Sequence, residues 1–208
     1  MTTFLIADDH SVVRSGLVII IKTLFKDASI FQASSFSEIE KTLEAEKIDI
    51  LILDISFPEG NSLSIISTIK LEHPNLRILI FSSYEEDIYA LRYIKAGADG
   101  YLSKLSTPDE IEVALLKMVK DGKFTSSKIK DKIIDTFMFN KPENPLDELS
   151  DREMEIATLM VNGMGNLEIS NVLKLKATTI STYKNRIFEK LGVSNLSALI
   201  QFFNLHND

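Results

Sequence analysis

The chain has 208 residues, of which 45% are hydrophobic and 25% charged, with a formal net charge of −7 and no cysteine. The length exceeds that of a usual single domain of ~100–150 residues, so we expect two domains of globular composition. The lack of cysteine excludes disulfides and thiolate metal sites, and no apolar run approaches the ~18 residues of a membrane span. The N-terminus lacks the basic segment of a signal peptide, so a cytoplasmic protein without a membrane partner is expected.

The first part of the chain alternates between strand and helix patterns. Short apolar runs predict five strands, at residues 4–7, 30–33, 50–53, 78–81 and 100–102. Amphipathic stretches between them predict helices, with Ser11 as a candidate cap of the first and Thr107-Pro108 opening the last. Five βα units within about 120 residues predict a flavodoxin-like α/β domain, whose parallel sheet is covered on both faces.

A second, smaller domain is predicted after a linker. We expect the α/β domain to span residues 1–123 and a linker to span 124–144, where Ser126 to Asn140 can form a further helix. Residues 145–208 show only helical patterns, beginning with a capping box at Ser150–Glu153. The C-terminal domain is therefore predicted to be all-α.

Polar side chains follow the predicted strands at their carboxyl ends, where ligands of open α/β sheets bind. These residues are Asp8, Asp9, Asp54, Ser82 and Lys104. Carboxylates suit a hard cation such as Mg²⁺, and a positioned aspartate can accept a phosphoryl group. An ammonium and a hydroxyl can stabilise the transferred charge. The pattern predicts a phosphoryl-accepting site, and the alternative is that each acid separately complements a helix dipole.

A basic helical segment in the C-terminal domain is typical of DNA binding. Residues 166–193 place two helices around a short turn, and Lys174–Leu191 carries a net charge of +4. On the second helix, short polar side chains lie opposite the apolar face and cations flank them: Thr178, Ser181, Thr182 and Asn185, with Lys184, Arg186 and Lys190. Such side chains suit base edges and phosphates respectively. A merely solvated helix face is the alternative.

The last predicted helix offers a candidate dimer face. Its apolar residues Leu199, Ile200 and Phe203 can pair two copies or fill the core of one chain. Because few cations are available per chain, we expect a homodimer that contacts two half-sites in double-stranded DNA.

Three segments of the α/β domain resemble the receiver domain of response regulators of the NarL/FixJ type. They are Asp8–Leu17, Leu53–Pro58 and Ala96–Lys104. The resemblance implies that a sensor histidine kinase phosphorylates Asp54, and that Lys104 contacts the phosphoryl group. It also implies roles for a Mg²⁺ site and a switch: Asp8, Asp9, Asp54 and the Ser56 carbonyl for the metal, and Ser82 with Tyr101 for the switch.

The C-terminal domain is similar to the LuxR-type helix-turn-helix, and Ser181–Lys184 resembles a BvgA-like subgroup. Gly165, Leu167 and Lys176 depart from the family's usual Ser/Thr, Lys and Ser. The two resemblances together imply a two-component response regulator, in which phosphorylation controls dimerisation or domain arrangement and sequence-specific DNA binding. Such a protein regulates transcription and is not an enzyme beyond the chemistry at Asp54.

Two other functions are compatible with parts of the sequence. One is a regulator that is controlled by protein contacts without phosphorylation. The other is a small Mg²⁺-dependent phosphatase or phosphotransferase with an aspartyl intermediate, which leaves the helix-turn-helix unexplained. The histidines at 10, 73 and 206 are too scattered in the sequence to predict a metal site.

Overall fold

The structure is a computed structural model that describes residues 1–84, 86–126, 129–130 and 145–206. The chain divides into two compact units, Met1–Phe139 and Asn140–Asp208. Most of the predicted helix at 126–140 and of the predicted linker at 124–144 lies outside the described residues. Within the described ranges, none of the helices combines the length and the apolar character needed to cross a bilayer.

The N-terminal unit is built on a parallel sheet. Its strands in chain order are β1 (Thr3–Ala7), β2 (Ser29–Ala33), β3 (Ile50–Leu53), β4 (Ser56–Phe57), β5 (Gly60–Asn61), β6 (Arg77–Ser82) and β7 (Gly100–Ser103). Five of them form the sheet in the order β2-β1-β3-β6-β7, with every pairing parallel. β4 and β5 form a small antiparallel hairpin at residues where no strand was predicted. β3 is buried at every position, as expected for a central strand covered on both faces.

Helices alternate with the sheet strands: α1 (Ser11–Leu24), α2 (Phe36–Ala45), α3 (Leu63–Glu72), α4 (Glu86–Lys95) and α5 (Pro108–Asp121). Thr107 caps α5 in a capping box with Glu110, so the predicted start of this helix is confirmed. The prediction that Ser11 caps α1 is wrong, because the helix begins at Ser11 and His10 is the cap residue. The His10 N–H instead donates to the Asp8 carboxylate at 2.8 Å.

An apolar core beneath β1 and β3 holds the strand ends in place. Phe4 and Ile52 pack with Leu17 of α1 and with Leu115 and Met118 of α5, and each of these side chains is at most 3% exposed. Burying a side chain of this size contributes about 1.5–3 kcal/mol. The core therefore fixes the edge of the sheet at which β1 and β3 end.

The C-terminal unit is all-helical, as predicted. A 3₁₀ turn at Pro145–Glu148 precedes α6 (Asp151–Val161), α7 (Asn166–Leu173), α8 (Ala177–Leu191) and α9 (Leu196–His206). The capping box of Ser150 and Glu153 begins α6, which confirms that prediction. Gly192 ends α8 in the left-handed conformation, with φ at 65°.

The apolar side chains of α9 require a correction of the predicted dimer face. Leu199 and Phe203 are 0% and 1% exposed within the single chain. Because these side chains are buried in their own domain, they contribute to its core and offer no surface to a second copy. Ile200 is half-buried, and its place in a dimer face stays a prediction.

Candidate functional site

The register between β1 and β3 brings the predicted acidic residues together. Ala7 pairs with Leu53, so the residues that follow, Asp8 and Asp54, are neighbours, and the Asp54 N–H donates to the Ala7 carbonyl at 2.9 Å. One carboxylate oxygen from each of Asp8, Asp9 and Asp54 and one nitrogen of His10 lie within 4.8 Å of one another. Carboxylates at this spacing repel one another, and a cation relieves that cost.

Lys104 supplies a positive charge to the cluster. Its backbone N–H donates to the Ser82 carbonyl, which places its side chain beside β3. Its Nζ lies 2.8 Å from Asp54 Oδ2 and 2.7 Å from Asp8 Oδ2. Burial alone would lower the pKa of Lys104, but the Asp54 and Asp8 carboxylates outweigh it and raise that pKa. Lys104 is therefore a charged ammonium held between two carboxylates.

Asp54 is a buried acid that faces this ammonium, as Asp8 is. Its side chain is 5% exposed, and Oδ1 accepts the Ile55 N–H at 2.7 Å. Burial raises the pKa of Asp54 above its usual value, Lys104 opposes this shift, and Asp8 adds to it. Burial makes the charged form of this carboxylate costly, so the approach of a cation or an electrophile to Asp54 is favourable.

Ser82 and Tyr101, the predicted switch residues, are both fully buried. Ser82 Oγ accepts the Tyr84 N–H at 3.3 Å, and the Tyr101 hydroxyl donates to the Tyr84 carbonyl at 2.9 Å. Burial and the neighbouring Tyr89 raise the pKa of the Tyr101 hydroxyl, so this group stays a protonated donor. The backbone of Tyr84 thus connects the two side chains.

Some contacts at this site were missed by the sequence analysis. His10 Nδ1 lies 2.7 Å from Asp9 Oδ1, and the Arg14 guanidinium donates to the Asp8 carbonyl at 2.6 Å. Nearness in sequence to the acid pair was the available indication for both. Ser56 Oγ lies 3.2 Å from the Tyr84 hydroxyl, a contact across 28 positions that no sequence pattern indicates.

The outer face of α8 presents the side chains predicted to contact DNA. Its inner residues Ile180, Ile187 and Leu191 are buried in the domain. The predicted base and phosphate contacts lie outside this core: Thr178, Ser181, Thr182, Asn185 and Arg186 are exposed, and Lys184 is half-exposed. Lys190 is also exposed, but its ammonium lies 2.7 Å from Glu153 Oε2 of α6, so its phosphate contact stays a prediction.

A parallel α/β domain with an acidic cluster at the carboxyl ends of its strands, followed by a helix-turn-helix, defines a class of DNA-binding regulators controlled through a receiver domain. Residues 4–116 match the family described as response regulator receiver domain, and residues 147–203 match the luxR family of bacterial regulatory proteins. The chain belongs to the response regulator receiver family and carries a luxR-type DNA-binding domain. Proteins of this class are two-component transcription regulators that take a phosphoryl group from a histidine kinase and bind DNA.

Similar proteins share this organisation. The chain is 29% identical over 205 residues to the oxygen regulatory protein NreC of Staphylococcus aureus strain JH9, which covers 95% of this chain and 94% of that protein. Among solved structures, RcsB of Salmonella typhimurium is 24% identical, with a TM-score of 0.58 and 98% of each chain covered. RcsB bound to promoter rprA with the phosphomimetic BeF3⁻ is 22% identical, with a TM-score of 0.63 and 98% of each chain covered. The predicted family and fold class are confirmed.

Proposed function

We propose that Asp54 is the phosphoacceptor of this regulator. The observation that carries the proposal is the position of the Lys104 ammonium, 2.8 Å from Asp54 Oδ2 and in contact with Asp8. A carboxylate oxygen of Asp54 attacks the phosphorus of the kinase phosphohistidine, and the breaking P–N bond leaves its electron pair on the imidazole. Lys104 then stabilises the charge on the transferred oxygens.

The acidic cluster fits a Mg²⁺ ion. Asp8, Asp9 and Asp54 offer hard carboxylate oxygens within a small volume, and the Ser56 carbonyl is a further oxygen two positions after Asp54. When bound, the metal neutralises charge on the phosphoryl oxygens. Asp8 and Asp9 would hold the ion, and the Arg14 contact to the Asp8 carbonyl would keep that loop in place.

Ser82 and Tyr101 would respond to phosphorylation of Asp54 by changing the surface of the receiver domain. The Ser82 hydroxyl turns towards the new phosphoryl oxygens and donates to one of them. Its contact with the Tyr84 N–H would then be replaced, and the Tyr101 ring would pack into the space that the Ser82 side chain leaves. The surface around α4 and α5 would change as a result. The charge added at Asp54 would thus shift the receiver domain between two conformations.

The C-terminal unit would bind DNA under the control of the receiver domain. We assign the receiver domain to 1–123, the linker to 124–144 and the DNA-binding domain to 145–208. Base edges would be contacted by Thr178, Ser181, Thr182 and Asn185, and phosphates by Lys184 and Arg186, with Lys190 as a further candidate. A homodimer would bind paired half-sites. The solved structure of two RcsB dimers bound to two parallel DNAs shows that protein on DNA as a dimer. A protein with this function would work in the cytoplasm, where bacterial promoters are.

Phosphoryl labelling tests the proposed acceptor. The full chain is incubated with Mg²⁺ and a radiolabelled acyl phosphate, beside Asp54→Asn and the control Asp27→Asn, which changes an exposed turn residue. Label is expected on the wild type and the control and absent from Asp54→Asn. Persistent label on Asp54→Asn would overturn the assignment.

Light-scattering mass then tests the link to assembly. Beryllofluoride with Mg²⁺ is expected to convert the wild type from monomer to dimer and to leave Asp54→Asn unchanged. A constant mass together with normal labelling would retain the acceptor and reject control of dimerisation. A constant mass without labelling would favour regulation by protein contacts.

A further inference from the structure

α8 is the helix proposed to contact DNA, and we call it the recognition helix. The hydroxyl protons of its residues Ser181 and Thr182 are already used in hydrogen bonds within the helix. Ser181 Oγ donates to the Ala177 carbonyl at 3.1 Å, and Thr182 Oγ1 donates to the Thr178 carbonyl at 3.1 Å. A carbonyl oxygen only accepts, so each hydroxyl must give its single proton to this bond. Towards solvent, both hydroxyls are left with lone pairs and no proton.

A residue of the preceding helix strengthens this arrangement at Ser181. Asn166, the first residue of α7, donates from Nδ2 to Ser181 Oγ at 3.2 Å. Because the Ser181 proton is used by Ala177, the Asn166 atom that faces the hydroxyl has to be the amide nitrogen. Asn166 therefore stabilises the hydroxyl orientation in which Ser181 accepts, and it leaves Ser181 one free lone pair.

This bonding pattern restricts what Ser181 can recognise. A freely rotating serine both donates and accepts, so it discriminates poorly between bases. An acceptor requires a donor on the base edge, and in the major groove only the adenine N6 and cytosine N4 amino groups donate. Guanine O6 and N7 and thymine O4 are acceptors, so they would face an unpaired oxygen.

We propose that Asn166 determines sequence specificity by holding Ser181 as an acceptor, so that the base at Ser181 presents an amino group, adenine or cytosine. Asn166 is a positioning residue for this contact, and the inference rests on the proposed DNA-binding function of α8. The Thr182 hydroxyl likewise gives its proton to a carbonyl of α8, and no residue described in α7 donates to it, so its base preference is expected to survive substitution of Asn166.

The test is selection of preferred sites from a random duplex pool by the full chain with Mg²⁺ and beryllofluoride. The position that loses its preference in Ser181→Ala identifies the base pair at Ser181. Every base pair carries one amino group in the major groove, adenine N6 or cytosine N4, so the decisive step is to replace the amino-bearing base of this pair by an analogue without that group. We expect this replacement to weaken binding by about fivefold or more. Unchanged binding to the analogue would overturn the inference.

Asn166→Ala is the decisive variant, and Asn162→Ala, an exposed asparagine outside α8, is its control. Asn166→Ala should relax the preference at the Ser181 base pair by about fivefold and leave the other positions and binding to random DNA unchanged. A structural role alone would weaken all sequences equally and contradict the inference. If Asn166→Ala does not fold, Asn166→Asp takes its place, because a carboxylate cannot donate to the Ser181 hydroxyl and the preference should again relax. A preference retained in Asn166→Asp would reject the role of Asn166.

The outcomes separate this inference from the function on which it rests. A wild-type chain that selects no sequence at all would reject the proposed DNA contacts of α8. A wild type that selects a defined site, with the Ser181 preference retained in Asn166→Ala, would reject only the role of Asn166.

Discussion

The Lys190 ammonium lies 2.7 Å from Glu153 Oε2 and joins the end of α8 to the first turn of α6. The Glu153 side chain is 5% exposed, and the same oxygen accepts the N–H and the hydroxyl of Ser150, each at 2.8 Å. Lys190 also donates to the Glu148 carbonyl at 3.2 Å. Lys190 therefore ties the recognition helix to the beginning of its domain, a role that the basic pattern of α8 did not indicate.

Lys190→Ala is expected to destabilise the C-terminal unit. The change leaves the buried Glu153 carboxylate without its cation, which costs about 1–3 kcal/mol. Hydrogen exchange of the full chain should show faster exchange in peptides from residues 145–206. Peptides from the α/β unit should exchange as in the wild type.

Lys184→Ala is the matched variant, because Lys184 lies on the same helix and its ammonium is over the Phe188 ring at 5.4 Å, without a carboxylate contact in the structure described. Lys184→Ala should weaken DNA binding across sequences and reduce the salt slope by about one, with little change in exchange. If Lys190→Ala behaves in the same way as Lys184→Ala, Lys190 is a phosphate contact after all.

The stability of the C-terminal unit is expected to fall in acid because of Glu153. Burial would raise the pKa of Glu153, but the bonds from Lys190 and Ser150 outweigh it and hold the pKa below its ordinary value of 4.5. The unfolded chain therefore binds the proton at a higher pH than the folded chain, and stability rises with pH between the two values. The contribution is complete above 4.5 and is lost as the pH falls through the lowered pKa.

Urea denaturation from pH 6 down to pH 3, followed by hydrogen exchange in peptides from residues 145–206, measures this dependence. Glu153→Gln removes the titrating group and should flatten the part of the curve below the ordinary carboxyl pKa. An equally steep curve in Glu153→Gln would assign the acid sensitivity to other carboxylates.

The convergence of Asp8, Asp54 and Lys104 could be predicted because it depends on local patterns. Each residue follows a short apolar run, and parallel strands end at one edge of the sheet whatever their order. The contact of Lys190 with Glu153 could not be predicted, since it depends on how α6 and α8 pack across 37 positions.

The short hairpin and the packing of the last helix could not be predicted from the sequence, for similar reasons. β4 and β5 have two residues each, which is too few for a period to show. Leu199 and Phe203 have the spacing of an amphipathic helix, and that spacing is the same whether the covered face meets its own domain or a second copy. Only the packing of α9 in one chain decides between them.

Gly100→Ala is expected to destabilise the α/β unit. A Cβ at this position of β7 would lie 2.6 Å from the Phe124 carbonyl oxygen and 3.0 Å from Leu79 Cδ1. The Phe124 backbone is held there by its N–H bond to the Asp99 carbonyl, so it cannot move freely. Overpacking of this kind costs about 1–3 kcal/mol, which urea denaturation of the full chain would detect.

Gly16→Ala is the matched substitution within α1. A Cβ at Gly16 meets no atom within 4 Å, and alanine is the better residue in a helix interior. We expect a gain of about 0.5–1 kcal/mol. A loss of stability in both variants would show that α1 tolerates no added atom at Gly16 and would contradict the open space at that position.

Lys104→Met is expected to tighten Mg²⁺ binding while it impairs phosphoryl transfer. The Lys104 ammonium contacts Asp8 Oδ2 and Asp54 Oδ2, the carboxylates that the ion would use. Removal of the ammonium leaves more uncompensated negative charge, and two unit charges at 4 Å near a protein surface interact by ~4 kcal/mol. We expect the Kd for Mg²⁺ to fall about tenfold, which corresponds to about a third of that interaction energy. Calorimetric titration with Mg²⁺ would measure this Kd.

Lys70→Met controls for the loss of a positive charge elsewhere in the same unit. Its ammonium lies 2.5 Å from Asp99 Oδ2, and Asp99 is not among the residues of the acidic cluster. We expect Lys70→Met to leave the Kd for Mg²⁺ and the labelling of Asp54 unchanged. Tighter Mg²⁺ binding in Lys104→Met alone, with slower labelling, means that the lysine competes with the ion yet serves the phosphoryl group. Weaker binding in Lys104→Met would instead mean that the ammonium holds the carboxylates in place for the ion.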